Sequence, residues 1–502
     1  MEDCSVTENL VLSKIQTRLE EYAPRHQKQI MQKLQEFLST DKVDVKRAIS
    51  EELFDLEKQY IGKFQDNQIQ CTNLIQTVGL REAPVILTIL ISKPQKCFLL
   101  HTLGSEPHAE NVVQDPILKK RKINFQKILI DEVDAGNIYR EVKNHVIPFL
   151  CAGTTISDPT GGRKAMVAAL SSISFYYGLP MMYLWGYEDK GIILPFSEQL
   201  KSIENPYEIY GDLDLILFER LFNNHAYASA RQIAIELRKK VIDPKQSYLI
   251  TLLEELSDVY LKWDQFKHSI PHENLTLSEE LITIQTKINS QDYQLLFDTQ
   301  QITNNIEFLQ GIETHWRLGE QNMIDEYRLI DFLANAERRA VLKRYDDAVA
   351  RLYRSLEAAS TLLLNQNGLN LKNGDFEKLL ANTNKSSLTE LQQAFENRFK
   401  IPLSKQIGLQ QQMWLIKWTM DHPFVESYKK LLKKSPVDGK ILMAIRNHSI
   451  LAHGTSPVSE ENYLVLQREI FLQVEYLLKQ KRFNKLRIKA RHPQVFLSPS
   501  KK

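Results

Sequence analysis

The sequence predicts an α/β domain built on a parallel, doubly wound sheet, followed by an all-α remainder. Three observations carry this. Short apolar runs alternate with helix-like segments between residues 72 and 187. From about residue 200 the strand signal fades into amphipathic helices. From about 326 the helices become long and strongly patterned. Strands alternating with helices at this spacing are the signature of βαβ units.

The elements follow in order. Residues 1–70 read as helix, with one Pro break in "IQTRLEEYAPRHQKQIMQKLQEFL". "TNLIQTVGL" (72–80) is a first strand ending in a small-residue turn, and "PVILTILISK" (84–93) opens on a Pro that suits a first helical turn. "KCFLLHT" (96–102) and "FQKILIDEV" (125–133) are strands, and "IYREVKNHVIPFL" (138–150) is a helix. "TTISD" (154–158), "KAMVAALSSISFYYG" (164–178) and "LPMMYLWGY" (179–187) continue as strand, helix and strand. Beyond them, 218–240 and 247–266 read as amphipathic helices without a convincing repeat period. In 345–364, Val349, Leu352, Tyr353, Leu356, Ala359 and Leu363 share one apolar face, and a last long helix covers about 459–482.

A chain of 502 residues is too long for one ordinary core. With 43% hydrophobic and 25% charged residues it has the composition of a globular protein. Lys and Arg number 64 against 62 Asp and Glu, a net +2, so a global polycation is excluded and any nucleic-acid contact is local. The basic tail "KQKRFNKLRIKARH" (479–492) reads either as a solubilising end or as a strip that contacts RNA. Cys4, Cys71, Cys97 and Cys151 lack metal or disulfide spacing, which fits a reducing cytoplasm. The N-terminus has no signal-peptide pattern and no apolar run reaches about 18 residues, so neither export nor a membrane span is expected.

One turn stands out. In "SDPTGGRKAM" (157–166), Gly161 and Gly162 permit positive φ and close approach of another molecule. The helix that follows offers free N–H groups and a positive dipole end. Arg163 and Lys164 add charge, Thr160 adds a hydroxyl, and Asp158 precedes them. The spacing is neither a Walker motif nor G-x-G-x-x-G. By itself the turn reads equally as a surface connection or a phosphate cradle. Thr77, Val78 and Gly79 close the first strand and Thr102 the second, so all these residues converge on the carboxyl edge of the sheet. Together they suit a nucleotide with several phosphates.

A second constellation lies in "MAIRNHSILAHGT" (443–455). Arg446 and His453 are seven residues apart, about 700° of helical rotation, so both project from one face about 10 Å apart. Asn447 and His448 adjoin the Arg, and Gly454 offers a helix stop. A His can move a proton at a ribose hydroxyl or a leaving oxygen, and an Arg can hold a phosphate. That is enough for RNA cleavage through the 2′-OH without a metal; no Asp/Glu cluster suggests a two-metal site. A structural polar pair is the alternative. His108, His145 and His268 read as ordinary polar positions.

Residues 72–198 resemble the CARF domain, the Rossmann-like sensor of type III CRISPR ancillary proteins, through "LIQTVG", "PVILTI", "FLLHT" and "DPTGGRKAM". The resemblance implies a cyclic oligoadenylate bound across a symmetric dimer and touched by a T-G-G-[TS]-K turn. Position 163 departs from that pattern: an Arg replaces the small hydroxyl residue, which leaves the ring size open and adds a cation. "RNHSILAHG" resembles the HEPN nuclease motif, and the helices in 331–359 look like the paired helices of that family, over about 326–490. The two together resemble the CARF–HEPN ribonucleases.

The expected organisation is an N-terminal helical extension (1–70), a CARF-like Rossmann sensor (71–198), a helical linker (199–325) and an α-helical HEPN ribonuclease domain (326–502). The resemblance implies a homodimeric single-strand RNA endonuclease with Arg446, Asn447, His448 and His453 at its active site. A cyclic oligoadenylate would be its activator and no other cofactor would be required. Thr77 and Thr102 are the candidates for cleaving the activator itself. Two alternatives are a catalytically silent nucleotide-sensing regulator and a helical binding or scaffold protein.

Overall fold

The structure, a computed structural model, describes residues 2–64, 70–268, 276–317, 323–371, 374–383, 387–433 and 455–498. It divides into two compact units, Met1–Ile209 and Tyr210–Lys502. The fold class is the expected one, an α/β unit and an all-α unit.

In the first unit, helices α1 (Glu2–Tyr22), α2 (Gln27–Ser39) and α3 (Val43–Tyr60) precede the sheet. Then come β1 (Asn73–Thr77), α4 (Ala83–Ser92), β2 (Lys96–His101), α5 (Glu106–Gln114), α6 (Pro116–Lys119) and β3 (Asn124–Leu129). The remainder is α7 (Ala135–His145), β4 (Thr155–Asp158), α8 (Lys164–Tyr177) and β5 (Met181–Trp185). Three short strands, β6 (Glu188–Asp189), β7 (Ile192–Ile193) and β8 (Gln199–Ile203), and a short helix α9 (Pro206–Tyr210) follow. The main sheet runs β3-β2-β1-β4-β5-β8. Strands β1 to β5 are parallel, and β8 returns antiparallel to β5, an edge strand that the sequence pattern did not signal. The order reverses between β1 and β4, so the topological switch point lies where β1 pairs with both β2 and β4.

Both faces of the sheet are covered, which is why its strands read as continuous apolar runs. Leu74, Cys97 and Leu99 enter one core, while Ile75, Phe98 and Leu100 enter another with Ile138 and Val142 of α7 and Leu170 and Ile173 of α8. The first core also takes Leu19, Ile30, Leu34, Phe37, Ile49 and Leu53, so α1–α3 share one hydrophobic core with the sheet. Ion pairs add to this. Lys46, fully buried, reaches Asp189 at 2.5 Å, and Lys58 reaches Asp115 at 2.9 Å. Cys71 and Cys97 are free and buried, and burial pushes the Cys71 thiol up to about 11.

One contact in this unit has a sign that can be tested. Glu57 of α3 accepts the Phe196 N–H, and Glu198 is buried against it. Burial raises both carboxyls, and for Glu198 the neighbouring Glu57 charge adds to the effect. Both acids hold their protons more tightly folded than unfolded. Their contribution is therefore complete below the ordinary carboxyl range and is lost as pH rises. Glu198→Gln is expected to raise the melting temperature of this unit at about pH 8 and to flatten its fall between about pH 5 and pH 8, read by calorimetry.

The second unit is helical: α10 (Asp212–Asn223), α11 (Tyr227–Lys240), α12 (Pro244–Asp264), α13 (Leu277–Ser290), α14 (Thr299–Arg317), α15 (Glu326–Val341) and α16 (Tyr345–Gln366). Then come α17 (Phe376–Asn382), α18 (Leu388–Phe399), α19 (Leu409–Met420), α20 (Pro423–Lys433), α21 (Glu460–Leu478) and α22 (Gln480–Lys489). Starts follow side-chain caps: Asp243 accepts from Gln246 N, Thr276 and Glu279 form a capping box, and Asp325 accepts from Arg328 N. One apolar core runs through the unit, from Leu215 to Val495.

Two helices expected to be single are broken. The 218–240 segment splits at His225, which adopts φ 63°, and the 459–482 segment splits at Lys479, at φ 64°. Tertiary contacts override the helical pattern in both places. Asn223 bonds both the N–H and the carbonyl of Val495, and Tyr227 turns inward to bond His492 at 2.7 Å. Beyond Lys479 the basic tail packs as α22. Phe483, Leu486 and Val495 are buried, Arg482 pairs with Glu326 at 2.6 Å, and Arg487 pairs with Glu337 and Lys489 with Glu307. The tail is thus a packed helix and not a loose end, with Lys481, Lys485 and Arg491 exposed. Its inward residues lock it to α14 and α15.

Candidate functional site

The carboxyl ends of β1, β2 and β4 meet the start of α8, as the switch point requires. A pocket of about 380 Å³ opens there. Val78, Gly79, Thr102, Thr160, Gly161, Gly162 and Arg163 line it, all of them expected from the sequence. Leu80, Arg81, Pro84, Gly104, Ser105, Glu132 and Met166 complete the wall, and the sequence reading did not include these.

The wall is built by close backbone packing. A Cβ on Gly161 would lie 2.3 Å from the Thr77 carbonyl oxygen, and one on Gly79 would lie 2.7 Å from the Gly162 nitrogen. Gly162 adopts φ 87°, a conformation that side chains disfavour. Thr77 itself is buried, and its hydroxyl donates to the Gly161 carbonyl. Asp158 is buried too. One oxygen accepts from the Thr160 N–H at 2.8 Å and from its hydroxyl, and the other accepts from Gln76 at 2.8 Å. Thr160 in turn accepts the Leu184 N–H at 2.9 Å. Burial raises the Asp158 carboxyl, against the pull of its hydrogen bonds to Thr160, Thr88 and Gln76. Thr77 and Asp158 therefore hold the turn from beneath instead of lining the pocket, and exposed Lys164 lies outside the lining.

Thr102 caps the turn after β2: the Ser105 N–H donates to its hydroxyl at 3.3 Å, and its own N–H donates to Ser105 Oγ at 3.0 Å. The hydroxyls of Thr77 and Thr102 are thus both engaged in holding backbone. The cations differ. Arg163 pairs with Glu132 at 3.2 Å, whereas Arg81 has no ion pair among the described residues. Glu82, beside Arg81, is turned to α5, where it accepts from Asn111 at 2.7 Å and meets His108 Nδ1 at 2.8 Å. The start of α8 adds first-turn N–H groups that have no intrahelical carbonyl. A glycine turn, two guanidinium groups and a helix N-terminus make a site for an anion with several oxygens.

Arg446, Asn447, His448 and His453 lie outside the described residues. The helices on either side are described. α16 packs on α15 and α21, and the Val458 N–H donates to Asp346 of α16 at 3.2 Å. Beside them lies a buried polar network. Asp264 of α12 accepts from Arg338 at 2.9 Å, from Arg339 and from Asn335 at 2.8 Å, and Asp331 accepts from Trp263 at 2.9 Å. His268 meets Asp331 at 3.0 Å, His108 meets Glu82, and His145 lies 3.3 Å from Glu141, so each has a carboxylate partner. Among the described residues no group of three or more His, Cys, Asp or Glu is placed to hold a metal ion, and no helix is long and apolar enough to cross a membrane.

Comparison with known families bears on the second unit. A model of the Csm6 HEPN domain matches residues 318–476, and a model of the Csm6 6H domain matches residues 210–295. The second unit is similar to Csm6 in both of these domains. The HEPN match spans "RNHSILAH", and the 6H match covers α10 to α13. Two solved structures are similar to the chain. Enterococcus italicus Csm6 bound to cyclic hexa-2′-fluoro-hexa-dAMP shares 11% identity over 84% of this chain and 98% of that one, at a TM-score of 0.44. Can2 from Sulfobacillus thermosulfidooxidans, in complex with cyclic tetra-adenylate, shares 12% identity over 50% of this chain and 68% of that one, at a TM-score of 0.21. No curated protein matches the sequence.

Proposed function

We propose that this chain is a CARF–HEPN protein, a single-strand RNA endonuclease switched on by a cyclic oligoadenylate. The observation that supports it most is a pairing within one chain. A glycine-built, cation-lined pocket occupies the switch point of the sensor sheet, and a HEPN match spans an Arg–His motif. The pocket residues Gly79, Thr160, Gly161, Gly162, Arg81 and Arg163 would grip the phosphates of the activator.

In the nuclease domain, Arg446 holds the scissile phosphate and offsets the charge that develops on it. His453 moves the proton, and Asn447 and His448 orient the strand. The ribose 2′-OH attacks the adjacent phosphorus and the P–O5′ bond breaks. The products are a 2′,3′-cyclic phosphate and a 5′-hydroxyl, so no water and no metal ion enter this step. Two chains pair about a two-fold axis, which makes one composite pocket and one composite active site. Activation follows only if the ligand binds one arrangement of the dimer more tightly than the other. The 6H segment, residues 210–295, is the transmitter in this reading.

The test is to incubate the chain with single-stranded RNA and excess chelator, adding cyclic oligoadenylates of several ring sizes in turn. One ring size is expected to stimulate cleavage, with cyclic phosphate ends on the products. Linear 3′-hydroxyl ends, or cleavage abolished by the chelator, would contradict the mechanism.

A further inference from the structure

We infer that Glu132 is an electrostatic latch on the sensor pocket, set against Arg163, and that it determines how strongly a polyphosphate ligand must bind to fill the site. This rests on the proposed sensor reading, and it names the regulation of that same pocket. Three observations support it.

The first is position. Glu132 follows β3, and it lines both the turn pocket and a neighbouring cavity of about 560 Å³ beyond Thr102 and Gly104. It is the acid in the wall of a pocket whose other charges are Arg81 and Arg163. The second is pairing. Glu132 Oε2 lies 3.2 Å from Arg163 Nε, so the cation that distinguishes this turn has a carboxylate partner within the pocket wall. The third is exposure. The Arg163 side chain is 65% exposed and that of Glu132 41%, so the pair is loose enough for an entering anion to break.

The consequences follow from charge. With Glu132 ionised, the pocket carries a net +1 from two guanidinium groups and one carboxylate. A ligand phosphate gains Arg163 only by displacing Glu132, and so at the cost of that pair. Weak or singly charged anions are therefore disfavoured, and a ligand that presents several phosphates at once prevails. The loop holds Glu132 in place: Asp131 Oδ1 accepts the N–H groups of Val133 and Asp134, and Asn137 accepts the Asp131 N–H at 2.9 Å.

The test is a titration calorimetry cycle on the full chain, with inorganic pyrophosphate and cyclic hexa-adenylate as separate probes. It compares the unmodified protein, Glu132→Gln, Arg163→Ala and the double variant. Glu132→Gln is expected to tighten both probes about fivefold, and the gain is expected to shrink below about twofold when Arg163 is Ala. A gain of equal size in the Arg163→Ala background would overturn the latch, because Glu132 would then act by general repulsion alone. So would pyrophosphate affinity unchanged by Glu132→Gln, or no pyrophosphate binding by any form. If the cycle holds for pyrophosphate while cyclic hexa-adenylate and the other ring sizes all fail to bind, the latch stands and the activator reading falls.

Discussion

Replacing Gly161 with Ala is expected to weaken binding of the cyclic oligoadenylate by about 100-fold, while the chain stays folded. The new Cβ would sit 2.3 Å from the Thr77 carbonyl oxygen, which is backbone and cannot rotate away. The turn must move off the end of β1, and it then loses the Thr77 hydroxyl that donates to the Gly161 carbonyl. Arg163 and the start of α8 move with it, so every anion-binding group on that side is misplaced together. Gly79→Ala meets the Gly162 nitrogen at 2.7 Å and is expected to fail in the same way. Circular dichroism separates this from unfolding, since the cores on the two faces of the sheet do not include these glycines. Full affinity in both variants would mean that the ligand binds elsewhere.

Replacing His453 with Ala is expected to cut RNA cleavage by about 10²- to 10⁴-fold and to leave ligand affinity unchanged. Removing a proton-transfer group raises the barrier to the chemical step without touching the sensor pocket. Arg446→Ala is expected to cost about 10²- to 10³-fold, as loss of charge stabilisation does. The contrast with the glycine variants separates the two sites. One class loses the response to ligand, and the other loses the chemistry.

The sheet and its pocket were legible in the sequence, for a physical reason. Strands covered on both faces carry long apolar runs, so "TNLIQT" and "KCFLLH" stand out, and the small residues that end them mark the ligand edge. The edge strand β8 was not legible. Lys201 and Ser202 are exposed there, and the strand signal fades from about residue 200. The breaks at His225 and Lys479 were equally silent, because neither is a glycine, and at His225 the distant partner Val495 fixes the chain beside the break.

The site was legible by position but not by direction. Thr77 and Asp158 sit at strand ends, as expected, yet they point into the protein and hold the turn. Sequence spacing gives the end of a strand and not the side from which a residue leaves it. Glu132 was overlooked for another reason: an acid in "LIDEV" conflicts with a phosphate site, and only the fold brings it within 3.2 Å of Arg163. The Arg at position 163, which the sequence left as an unexplained departure, acquires a partner in the structure.

The central claim is that one chain couples an anion pocket on a sheet to an RNA-cleaving motif. Its most direct test is the single-stranded RNA cleavage rate of the unmodified protein, measured with and without a cyclic oligoadenylate that calorimetry shows to bind. The account predicts a rate at least about tenfold higher with the ligand bound, and no rise in Gly161→Ala. Equal rates with the pocket empty and filled would contradict it.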